Sequence, residues 1–121
     1  MGYKDSKSYT LKKDEFVKIL VKNDNRERVF SFRWTLFRDS VLVVHKNFNN
    51  FVAQHMLYLN KNNSFKTVLL DRRNSIRDDA YFIVSFKKFN EVNGTAVMDL
   101  FLYDRESRVK IEFLTPVEIV D

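Results

Sequence analysis

From Arg28 to Arg38 apolar and polar residues alternate. Phe30, Phe32, Trp34 and Leu36 fall to one side of an extended chain, and Ser31, Arg33 and Thr35 to the other. Successive side chains of a strand point to opposite faces, so this pattern predicts a strand with one face on a core. A helix would scatter the same residues around its axis. Between Thr95 and Tyr103 the pattern recurs: Ala96, Met98, Leu100 and Leu102 alternate with Thr95, Val97, Asp99 and Phe101.

Other extended runs lie between turn-forming residues. They are 14–22, 41–46, 51–59, 65–70, 81–89 and 108–114, giving about eight strands with turns every eight to twelve residues. With Gly 2 and Pro 1, Asn and Asp supply most of the punctuation, because their side chains bond to nearby backbone. Asn23-Asp24-Asn25, Asp39-Ser40, Asn47 to Asn50, Asn60 to Asn63, Asn93-Gly94 and Asp104 to Ser107 are the expected turns, and 71–79 is a longer polar loop. The expected fold is all-β: a single-domain antiparallel β-sandwich or an up-and-down barrel, with consecutive strands as neighbours. Residues 1–13 are read as a flexible polar N-terminal segment and 14–121 as the β domain. The alternative is an α+β fold with a helix at 50–59, since Phe48, Phe51, Val52, Met56 and Leu59 also fit one helical face, with Asn49 or Asn50 as its cap.

A chain of 121 residues with 45% hydrophobic content and twelve Phe can fill one core. Cys is absent, which removes disulfides, thiolate catalysis and Cys-ligated metals. No apolar run approaches the roughly 20 residues that span a bilayer, and the N-terminus has no signal-peptide stretch. The expectation is therefore a soluble domain whose compartment is left open. Gly2 and Ser6 fit the loose myristoylation pattern. Asn62-Asn63-Ser64 and Asn93-Gly94-Thr95 fit the glycosylation pattern, and Arg72-Arg73-Asn74-Ser75 resembles a basic phosphorylation site. All are short enough to arise by chance.

Charge is polarised. Up to Arg73 there are fifteen Lys and Arg against seven Asp and Glu, giving +8; from Asn74 onward six stand against nine, giving −3. A basic half attracts acidic proteins, nucleic acid or anionic lipid. Arg33, Arg38, Lys46, Lys61, Lys66, Arg72 and Arg73 are the candidate basic face. Single-stranded nucleic acid would also need aromatic platforms beside these cations, and Tyr58 or Phe65 are the candidates. Most aromatics fall in the core phase, which argues against nucleic acid.

Signals for catalysis are sparse. No Gly-x-Ser-x-Gly elbow is present, and Gly at positions 2 and 94 alone cannot make a phosphate loop. Asp14-Glu15 and Asp78-Asp79 are adjacent, so on strands they would face opposite ways. His45 and His55 sit symmetrically about residue 50. A hairpin centred there places them opposite each other, close enough to share a metal with help from Asp99 or Glu112. A register slip of one residue would separate them.

The sequence therefore points to a non-enzymatic binding or accessory domain with no cofactor. It would present a basic face or a sheet edge to another protein. A carrier of a small apolar ligand in a barrel or cleft is the alternative, and single-stranded nucleic-acid binding the second.

Overall fold

The computed structural model describes residues 5–23, 25–70, 80–105 and 107–114. Among them are nine strands: β1 (Asp5–Lys12), β2 (Val17–Asn23), β3 (Arg26–Arg38), β4 (Val41–Phe48), β5 (Phe51–Tyr58), β6 (Ser64–Val68), β7 (Tyr81–Asn90), β8 (Thr95–Tyr103) and β9 (Lys110–Leu114). They form two antiparallel sheets, ordered β1-β8-β7-β6 and β5-β4-β3-β2-β9. The fold is an all-β sandwich and not a closed barrel. The helix considered at 50–59 is strand β5, whose Phe51–Tyr58 pairs along its whole length with Val41–Phe48.

Two departures from the expected meander stand out. The segment read as a flexible polar lead carries β1, which pairs with β8 from Asp5↔Leu102 to Lys12↔Thr95. Its only inward apolar residues are Tyr9 and Leu11, so alternation was too brief to show. The chain also changes sheets after β1, β5 and β8. The turn expected to make a hairpin at Asp104 to Ser107 is one of these crossovers, and β9 pairs with β2 instead of β8. Asp104 holds it, its carboxylate accepting the N–H groups of Arg108 and Val109, both at 2.9 Å.

Two hairpins of the five-stranded sheet close with two-residue turns, Asp39-Ser40 and Asn49-Asn50. All four residues have positive φ, as the right-handed twist of paired strands demands. Asp and Asn tolerate that conformation better than most residues.

The core lies between the sheets. Phe30 meets Phe82 at 4.9 Å between ring centroids, and Phe32 meets Phe65 at 6.4 Å. Trp34 is buried and donates its indole N–H across the sandwich to the Leu11 carbonyl at 2.9 Å. Leu36 does not join it. A β-bulge between Trp34 and Leu36 adds one residue to β3, so alternation reverses. Leu36 turns outward, 46% exposed, and Phe37 turns inward. A second bulge between Phe86 and Lys88 does the same to β7, bringing Phe89 inward. The two displaced rings stack at 4.0 Å, 9° from parallel. The carbonyl of Trp34 accepts the N–H of Asp14 at 2.9 Å, which ties the β1–β2 crossover to the bulge.

Candidate functional site

The five of the seven basic residues that lie among the described residues do not gather on one face. Arg33 lies on the outer side of β3, paired with Asp14 at 2.7 Å. Arg38 is exposed at the end of β3, and Lys61 is exposed in the β5–β6 crossover. Lys66 sits outward on β6, in the other sheet, with its ammonium 4.3 Å from the Tyr81 ring centroid. Lys46 turns inward between the sheets. Arg72 and Arg73, with Asn74, Ser75 and Asp78-Asp79, lie outside the described residues, as does Gly2.

The two histidines separate as well. The β4–β5 turn has two residues, Asn49 and Asn50, and its pseudo-centre falls between them. His45 therefore pairs with Gln54, and His55 with Val44. The rings point to opposite faces, and the shared metal expected of them has no geometry here. Among the described residues no cluster of three potential metal ligands forms. Asp99 is on the outer face of the other sheet, accepting the Ser8 hydroxyl and standing 3.6 Å from the Lys87 ammonium. The expected stacking platforms divide too: Phe65 is buried, whereas Tyr58 is exposed on β5.

What the fold does bring together lies around β5 and β6. Lys46 reaches across the sandwich and donates to the Thr67 hydroxyl at 2.9 Å and the Lys66 carbonyl at 3.2 Å. Burial pushes its ammonium below the ordinary lysine value. His55 stacks flat on Phe65 at 4.3 Å. Its Nε2 is buried with no hydrogen-bond partner among the described residues. Burial first, and the Lys46 charge second, hold its pKa below the usual histidine value.

Strand β5 is also a free edge among the described residues, and it differs from the other three. Sheet edges are templates for further pairing, which proteins block with charge or shortness. Strand β1 carries Asp5, Lys7 and Lys12; β9 carries Lys110 and Glu112; β6 has five residues including Lys66. Strand β5, Phe-Val-Ala-Gln-His-Met-Leu-Tyr, has no Asp, Glu, Lys or Arg. Phe51 is 78% exposed, Val52 69% and Met56 55%. On the outer face Met56 continues a row with Val43 and Leu36 across three strands. A hollow of about 290 Å³ lies at the Tyr58 end, lined by Ser40, Tyr58, Leu59, Asn60 and Lys61.

Hydrogen-bond parity shows which backbone groups are free. In an antiparallel pair, hydrogen-bonded and non-hydrogen-bonded positions alternate. A two-residue turn makes its flanking pair, Phe48 and Phe51, a bonded one. The bonded positions of β5 are therefore Phe51, Ala53, His55 and Leu57. The N–H and C=O groups of Val52, Gln54, Met56 and Tyr58 point away from β4. Tyr58 fits this parity, since its N–H donates to the Asn62 carbonyl in the crossover at 3.3 Å. That leaves Val52, Gln54 and Met56 as the open edge.

The missing charge along 51–59 is legible in the sequence. That this run forms an edge is not, because neighbours in a sheet are set by the crossovers. No known protein family matches the chain, and neither a curated protein nor a solved structure matches it.

Proposed function

We propose that this is a non-enzymatic interaction domain whose β5 edge accepts an extended strand from a protein partner. The observation that carries the reading is the contrast among the four sheet edges. Among the described residues only β5 is long, uncharged and flanked by exposed apolar side chains. Backbone bonds to Val52, Gln54 and Met56 would supply affinity, and side chains alternating along the added strand would supply selectivity. The row Leu36, Val43 and Met56 extends the apolar surface beside that edge. The hollow at Tyr58 gives one side chain of the incoming strand a seat. The scattered cations do not support a basic docking face, and the edge takes precedence over it.

Selection of a displayed random-peptide library on the wild-type domain tests this. Selected peptides are expected to raise hydrogen-exchange protection at the Val52, Gln54 and Met56 amides. Val52→Lys, an exposed substitution that leaves the thermal midpoint unchanged, is expected to weaken them about tenfold or more, or about 1.4 kcal/mol. Peptides that bind Val52→Lys as tightly as wild type, or protect other amides instead, overturn the reading.

A further inference from the structure

We infer that the strand received by this edge is β5 of a second copy of the chain, paired antiparallel about a two-fold axis through Gln54. The inference rests on the edge reading above and goes beyond it by naming the occupant.

Three features select this partner. The first is register. Two copies paired through Gln54 set Val52 against Met56 of the other copy and Gln54 against its own equivalent. Those three residues are the ones whose backbone groups are free, and all of them become bonded. Shifting by two residues would pair Val52 with Tyr58, whose N–H is already held by the Asn62 carbonyl. It would also place His55 against His55. Shifting two the other way would draw in Asn50, a turn residue with φ 68° that cannot extend a strand.

The second feature is side-chain match. On the outer face Val52 meets Met56 twice, with two Gln54 amides between them. On the inner face Phe51 meets Leu57 and Ala53 meets His55. Inward residues meet inward residues, so the five-stranded sheets of the two copies join without reversing faces. Phe51, 78% exposed in one copy, gains an apolar neighbour.

The third feature is charge. Like charges directly opposite across strands are destabilising. With no Asp, Glu, Lys or Arg in β5, self-pairing sets none against another. The net +5 of each chain still opposes approach at long range, and salt screens that repulsion. Self-association is therefore expected to tighten as salt rises. An acidic partner on a basic surface would show the reverse.

Sedimentation across a concentration series tests the pairing, with cysteine probes in a chain that has no native Cys. Wild type is expected to form a concentration-dependent dimer. Met56→Lys is expected to raise its dissociation constant about tenfold or more while leaving the melting temperature unchanged when both chains are read at concentrations low enough to be monomeric. Gln54→Cys places two thiols on the axis, with Cα atoms ~5.5 Å apart and within disulfide reach. It is expected to oxidise to a covalent dimer. Val52→Cys alone is not, because equivalent residues then lie roughly 13 Å apart along the strand. An equal mixture of Val52→Cys and Met56→Cys is expected to cross-link.

A dimer that ignores Met56→Lys and fails to cross-link at position 54 overturns the inference, since another surface then forms it. A monomer at every concentration also overturns it. In that case, selected peptides that protect the β5 amides would leave the edge reading standing, and peptides bound elsewhere would remove both.

Discussion

Two corners of the sandwich interior are built from different alternating strands, β3 and β7 in one and β4, β5 and β6 in the other, and differ in what fills them. Around Trp34 the space is aromatic. Phe89 meets the indole edge-on at 5.4 Å and Phe37 face-on at 4.0 Å, and the indole N–H has its carbonyl. Around His55, Lys46 and Thr67 enter from the two sheets, and a histidine nitrogen is buried without a partner. The first corner sits beneath paired strands. The second sits beneath β5 and β6, each an edge of its sheet. Packing is thus concentrated where strands have neighbours on both sides, while the uncharged edge overlies the less well satisfied polar interior. The proposed docking edge therefore lies apart from the densest packing.

The largest test of this division is Trp34→Ala. It empties a buried indole site and is expected to cost about 3–5 kcal/mol, read as a fall in the urea midpoint. An unchanged midpoint would remove the distinction between the corners. Phe37→Ala should follow at roughly 2–3 kcal/mol, below the range for fully buried aromatics because Phe37 is only half-buried. A negligible loss would mean that the paired bulges do not contribute to packing.

Tyr9, on edge strand β1, adds a third place to the comparison. It is buried against Phe32, and its hydroxyl has no partner among the described residues. Tyr9→Phe is expected to be neutral or to stabilise by up to about 1 kcal/mol. Burial pushes the Tyr9 phenol up to about 12. The unfolded chain releases this proton near pH 10 and the folded chain only near 12, so wild-type stability should be intact below 10 and fall across that window. Tyr9→Phe should flatten that part of the profile, and an identical profile would detach Tyr9 from the alkaline loss.

The smallest effect is expected at His55. Its folded pKa lies below the ordinary 6.5, so between those values the unfolded chain binds more protons. Stability is then fully present above pH 6.5 and falls as the pH drops toward the lowered value. His55→Phe keeps a ring on Phe65 and should remove that acid slope, read by thermal melts from pH 7 downward. A slope that survives the substitution would place the acid sensitivity elsewhere.

Alternation decided most of the architecture. Phe30, Phe32 and Trp34, and Ala96 through Leu102, announce their buried face because strand geometry fixes which side each residue takes. Eight of the nine described strands are legible from alternation or from the turn residues between them, as is the lack of charge along β5. Strand β1 is not, because Asp5–Lys12 buries only Tyr9 and Leu11 and its place depends on pairing with β8. The bulges are not legible either. One extra residue reverses the faces of Leu36 and Phe37, and a bulge in β7 brings in Phe89 for Phe37 to meet. The histidine pairing turned on a single residue of turn length, which the run of asparagines leaves open and the hairpin twist settles. Local chemistry along the chain determined strands, turns and their apolar faces. The sheet each strand joins, the register and the exposed edges were decided by tertiary structure, because they depend on contacts between residues far apart in sequence.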